Sequence, residues 1–181
     1  MAFSFGGTFE VQRSPEEVYG FLTDPHKFCP LLPDFQSMSM QDATHFNVKV
    51  NVGISHIRGA ADVKMELTKA ERPNRAEYKG QGSIAGGSVM MTAGFDLAPA
   101  GSGTRVAWKG DAQVFGRIIS MAGGLMEPLA KKNIDRLINA LKTALEAGSA
   151  QTQPPSSGNQ TAQSNAQPSS APARLGEADH G

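Results

Sequence analysis

Nucleophilic, acid–base or metal chemistry in this 181-residue chain would have to come from a short set of side chains. The four histidines, His26, His45, His56 and His180, share no close ligand spacing, so no metal centre is expected. A catalytic triad needs a nucleophile, an imidazole and an orienting acid that converge. His45 and His56 fall near the ends of expected strands and His26 among early helices, which are surface or loop positions. Cys29 would be a nucleophile only with a cation lowering its pKa, and Lys27 and His26 are its neighbours in sequence. A small side chain packed at a cavity mouth is the simpler reading of Cys29. Tyr78, Thr104, Ser88 and Ser120 are the visible hydroxyls for an enzyme. Glu127, beside Pro128, would either set a carboxylate on a cavity rim or cap a restarted helix. The run GQGSIAGG lacks the phosphate-binding pattern and leads into a strand, which makes it a hairpin turn. Lys131, Lys132 and Arg136 form a basic patch that suits lipid headgroups, an acidic partner or simply a solvated helix face. No catalytic residue is assigned.

The elements that carry these side chains follow from periodicity. From residue 116 to 147, Ile118, Ile119, Ala122, Leu125, Met126, Leu129, Ile134, Leu137, Ile138, Leu141 and Leu145 recur at three- and four-residue steps. That is one long amphipathic helix needing cover along one stripe. Gly123, Gly124 and Pro128 interrupt it, so a bend or restart is expected, with the first third free to act as a lid. Upstream, Phe3, Phe5, Phe9 and Val11 mark a half-buried first strand. SPEEVYGFL then starts a helix with Ser14 as cap, Pro15 in the first turn and Glu17 completing a capping box. A second short helix runs from about Pro25 to Leu32. From Phe35 onward, alternation such as Phe46, Val48, Val50, Val52 against Asn47, Lys49, Asn51 describes a meander of six strands. The fold class is therefore α+β. A curved seven-stranded antiparallel sheet should wrap the long C-terminal helix, with two short helices after the first strand.

Residues 1–147 make one domain, while 148–181 is almost free of large apolar residues and is expected to be a disordered polar tail. Lys+Arg and Asp+Glu both number 17, so no net charge draws in nucleic acid. No apolar run approaches a membrane span, and the N-terminus lacks the pattern of a secretory signal, which together suggest a cytoplasmic protein. The inward positions of the meander are unusually small: Ala61, Ala76, Gly80, Gly82, Ala93, Gly110 and Ala112. They leave room for a ligand, or they merely let the sheet curl while the helix fills the gap.

The segments SPEEVYGFLTDPHKF, CPLLPDFQSM, VKVNVG, GQGSIAGGS, GSGTRVAWKGDAQVFG and GGLMEPLAKKNIDRL, in this order, resemble the carbon monoxide dehydrogenase G-subunit family. That family has the START-like, or helix-grip, fold. The resemblance departs at Pro33-Asp34, where the family usually has Pro-Gly, and in the polar tail, where some members carry an apolar anchor. It implies a non-catalytic accessory protein of molybdenum hydroxylases of the CO dehydrogenase type. Such a protein would bind a lipophilic quinone or lipid without a covalent cofactor, or recruit the dehydrogenase to the inner face of the membrane by peripheral contact. The residues expected to line the cavity begin with Phe28, Leu32 and Phe35. Val50, Val63, Met65, Tyr78, Gly80, Gly82, Met91, Phe95, Trp108 and Ala112 follow from the strands, and Met121, Leu125, Met126 and Leu129 from the helix. A START-like cyclase or hydrolase, and a ligand-free scaffold, are the competing readings. The entrance is expected at the first third of the helix or, failing that, at the 30–35 loop.

Overall fold

The computed structural model describes residues 1–84 and 86–148, so the tail expected over 148–181 lies, apart from Gly148, outside the described residues. Strand β1 (Ala2–Val11) leads into helices α1 (Pro15–Leu22) and α2 (Pro25–Phe28) and a 3-10 turn, Cys29–Leu31. Strands β2 (Phe35–Met40), β3 (His45–Ile54), β4 (Ile57–Glu71), β5 (Arg75–Ile84), β6 (Gly87–Ala100) and β7 (Gly103–Gly116) follow, and α3 (Ile118–Ala147) ends the domain. The seven strands form one sheet in the order β1-β7-β6-β5-β4-β3-β2. Every neighbouring pair is antiparallel. The expected helix-grip architecture is present.

Local chemistry explains the joints. Ser14 accepts a hydrogen bond from the Glu17 amide at 3.3 Å, and Glu17 Oε2 accepts from the Ser14 amide at 3.1 Å, which closes the predicted capping box. Gly116, at φ +103, ends β7 so close to β6 that a Cβ there would lie 2.6 Å from the Gly87 Cα. Only glycine fits that corner.

Helix α3 corrects one expectation. It neither restarts nor caps at Glu127: Pro128 sits inside a single helix, and Glu127 is exposed. The ring costs the helix one hydrogen bond, to the carbonyl of Gly124, but both ends are anchored. At the N-terminus Ile118 is fully buried and its amide donates to Gly86 O at 3.2 Å. At the C-terminus Arg13 Nε donates to Leu145 O at 2.9 Å. The first third is thus docked on the sheet.

Burial divides into two clusters at opposite ends of the helix. One gathers α1 and the C-terminal part of α3 around Val11, Val18, Phe46, Tyr78, Val106, Leu141 and Leu145. The other gathers Phe3, Ile54, Val89, Val114, Ile118, Ala122 and Met126.

Candidate functional site

Between those two clusters the inner face of the sheet is not fully covered. Register places Tyr78, Ala93, Gly110 and Phe5 side by side in one cross-strand row, and Met65, Gly80, Met91, Ala112 and Phe3 in the next. Tyr78 and Phe3 are buried, yet Ala93, in the middle of the sheet and on its inner face, is exposed. Beside it, a Cβ built on Gly110 would meet only the Thr92 carbonyl, at 3.6 Å. The facing wall has the same profile. Helix α3 buries Ala122 and Met126 near one end and Leu141 and Leu145 near the other, but Leu129, Ala130, Asn133, Ile134, Leu137 and Ile138 are only half-buried. Both walls are sealed at the poles and open at the waist. The part-covered apolar surface shared by the middle of the sheet and the middle of α3 is the candidate site.

The residues expected to line a cavity fall in different places around this surface. Phe28 packs edge-on against Phe46 at 6.0 Å and lies 5.7 Å from the Tyr78 ring, forming one border of it. Leu32, Phe35, Val50 and Met65 border the same cluster, and Val63, Ala112 and Leu129 border the opposite one. Phe95 is buried and edge-packed on Tyr19 at 6.2 Å, so it belongs to the core beneath the site. Met126 is likewise core. Trp108 is half-buried, with its indole lying over Gly7: a Cβ at Gly7 would fall 3.2 Å from the ring.

Other assignments change. Met121 and Leu125 are 63% and 52% exposed and do not reach the inner face, because the helix turns their neighbours Ala122 and Met126 inward instead. Gly80 does face inward but leaves no room, since its Cβ would meet Met65 Sδ at 2.6 Å and Met91 Cγ at 2.7 Å. At Gly82 a Cβ would lie 2.0 Å from the Asp62 carbonyl, so this glycine permits the close approach of β5 to β4. In the sequence Ala93 is only one of several small inward residues, and no signal short of the strand register sets it apart.

Three of the four hydroxyl candidates are already engaged, and the fourth, Ser88, is exposed on the outer face beside inward Val89. Tyr78 Oη donates to Leu22 O at 2.9 Å, Thr104 Oγ1 to Arg13 O at 2.6 Å and Ser120 Oγ to Arg117 O at 2.8 Å. His26 and His56 are exposed, and His45 pairs with Asp42 on the outer face at 2.9 Å. Among the described residues no group of His, Cys, Asp and Glu is placed to hold a metal. Asn133 differs: it lies in the half-buried stripe of α3 and has no side-chain hydrogen bond among the described residues. An open depression of about 680 Å³ on the outer face, between β3 and β5, is lined by His45, Asn47, Lys64, Glu66, Lys79 and Gln81 among others. Its charged side chains favour water, although Val63, Met65, Gly80 and Gly82 of the expected lining also border it.

Cys29 is fully buried, and burial, helped by Asp24, pushes its thiol from the ordinary 9.0 up to about 12. It is inert packing, as the sequence suggested. The same burial raises Tyr78. Both groups stay protonated in the fold after they would ionise in the unfolded chain. Their contribution to stability is therefore complete below pH 9 and declines as pH rises toward 12. Urea midpoints should fall across that window, and Cys29→Ala should flatten part of the slope. A thiol reagent should label Cys29 only on unfolding; rapid labelling of the native protein would contradict this assignment.

The sequence profile of the carbon monoxide dehydrogenase G-subunit (CoxG) matches residues 7–146, nearly the whole described domain. The chain belongs to the CoxG family. Comparison with curated proteins finds no match. Among solved structures, a conserved protein from Geobacillus kaustophilus superposes with a TM-score of 0.72 at 20% identity, covering 81% of this chain and 97% of that one. A START superfamily protein from Mycobacterium smegmatis gives 0.61 at 14% identity, covering 80% and 97%. The Zhui aromatase/cyclase from Streptomyces sp. R1128 gives 0.57 at 13% identity, covering 83% and 95%. At these identities the likeness is one of fold. This CoxG-family chain accordingly shares its START-like frame with proteins of differing activity, and only its own residues speak for its role. At the Pro33-Asp34 departure Asp34 takes φ +57, a conformation that glycine adopts without strain. No described helix is long and apolar enough to cross a membrane.

Proposed function

We propose that this CoxG-family protein is a non-catalytic carrier that holds one lipophilic molecule, an isoprenoid quinone, at the waist between the sheet and α3. On this reading it serves a molybdenum hydroxylase of the CO dehydrogenase type, delivering the electron acceptor and meeting the membrane only peripherally. The observation that carries the proposal is exposed Ala93 in the centre of an otherwise apolar inner face, opposite a half-buried stretch of helix. Unfilled apolar surface on two facing walls is favourable to cover with an apolar ligand. Asn133 adds a donor and an acceptor on the helix side, which suits a molecule with an apolar body and a carbonyl-bearing head. The cyclase reading draws on the fold shared with the aromatase/cyclase. It is the weaker one, since the hydroxyls of Tyr78, Thr104 and Ser120 are held by backbone carbonyls.

Organic extraction of the purified full chain followed by mass spectrometry tests the proposal. A co-purifying isoprenoid quinone in near-stoichiometric amount is the expected result. A clean extract, together with no saturable quenching of Trp108 by a benzoquinone bearing a ten-carbon tail, would overturn it.

A further inference from the structure

The waist is only part-covered on both of its sides, but one of them carries an ion pair between a loop and the helix. Toward β1 and β7 the waist is bordered by half-buried Phe5, Trp108 and Gly110 and by exposed Gly7, while Phe3, Phe9 and Val106 are buried in the two flanking clusters. Toward β2 and β3 Leu31, Leu32, Phe35 and Val50 are half-buried at the waist, beside buried Phe46 and Val48. The loop 32–34 lies on this side, where α3 runs against the 3-10 turn and β3. Two features of that loop are unusual together. Asp34 is a non-glycine residue at φ +57, a backbone conformation that costs an L residue free energy. Its carboxylate makes no hydrogen bond among the described residues, and its charged partner is Arg136 of α3, with Oδ2 and Nη1 3.6 Å apart. A glycine would hold the same turn without strain. What aspartate adds is the link from loop to helix.

We infer that the ligand enters between loop 32–34 and the middle of α3, and that the Asp34–Arg136 ion pair is a strap across this entrance. The inference rests on the carrier reading for its ligand, but the strap itself is a property of the free protein. Both partners are about half exposed, Arg136 at 52% and Asp34 at 53%, so the pair is weak and labile. Such a strap biases opening by a modest factor and does not lock it. Its strength also falls as salt shortens the Debye length from about 8 Å at physiological ionic strength to about 3 Å at 1 M. The exposure of the pair makes entry and release quicker at high salt, while an apolar ligand's equilibrium affinity is little affected by screening.

Two readouts on the full chain test this. Asp34→Asn keeps a residue that tolerates positive φ while removing the charge, Arg136→Gln removes the partner, and Lys132→Gln on the same helix controls for net charge. The first readout is release of the ten-carbon-tailed benzoquinone, followed by recovery of Trp108 emission. Release should quicken about two- to fivefold in either variant of the pair. It should quicken no further in the double variant, stay unchanged in Lys132→Gln, and lose its salt dependence wherever the pair is broken. The second is amide hydrogen exchange without ligand, where Phe35 and Asn51, whose amides donate to Leu32 O and Asp34 O, should exchange faster in the pair variants. Unchanged amide exchange would overturn the strap even if the protein bound no quinone, a result that would separately sink the carrier reading. Faster amide exchange with unchanged quinone release would place the entrance elsewhere and overturn the inference as well.

Discussion

Ala93→Phe should abolish saturable quinone quenching of Trp108 while the protein stays folded. Ala93 sits one cross-strand row from the tryptophan, since it pairs with Gly110 as Phe95 pairs with Trp108. Its exposure on the inner face leaves a phenyl ring free to occupy the space a ligand would take. A substitution that meets no packed neighbour changes stability by about 0.5 kcal/mol or less. Gly80→Phe is the matched contrast. It faces the same interior one row away, but even a Cβ there would lie 2.6 Å from Met65 Sδ. A ring at that point overpacks and should cost about 1–3 kcal/mol, with binding lost only alongside the fold. Chemical denaturation and quenching titrations on both variants read the difference. If Ala93→Phe destabilised the protein as much as Gly80→Phe, the waist would be filled by side chains in solution and the carrier reading would fail.

That contrast also locates where sequence reasoning succeeds and where it stops. Period-two and period-three-to-four patterns reveal the strands, α3 and the capping box, because each depends on neighbours within a few residues. The same patterns put Gly80, Gly82, Ala93 and Gly110 on one inward face but cannot rank them. Whether a small residue leaves space depends on what lies across the register: two methionines at Gly80, a backbone carbonyl at Gly82, almost nothing at Gly110. Met121 and Leu125 mislead for a related reason. An apolar stripe wider than the sheet can cover leaves its margin in water, and only the packing of Ala122 and Met126 decides which margin. The link between Asp34 and Arg136, about a hundred positions apart in the chain, cannot come from local spacing at all.

The anchoring of the first third of α3 gives the other large effect. Ile118 is fully buried among Phe3, Val89 and Val114, at the turn where β7 meets the helix. Ile118→Ala should therefore cost about 2–5 kcal/mol, with little chance for the surrounding strands to collapse into the void. Replacing Gly123 and Gly124 with alanine should act in the opposite direction. A Cβ at Gly124 meets nothing within 4 Å, and one at Gly123 makes ordinary contact with Met1 at 3.6 Å. Each alanine should thus stabilise by about 0.5–1 kcal/mol through helix propensity and a less flexible unfolded chain. A segment already docked gains nothing in its motions from added stiffness, so quinone release should be unaltered in the double alanine variant. Denaturation midpoints for Ile118→Ala and release rates for the alanine pair decide between a docked helix start and a moving one. Slower release in the alanine variant, with Ile118→Ala nearly neutral, would show that the first third of α3 swings as a lid and that Ile118 is not its anchor.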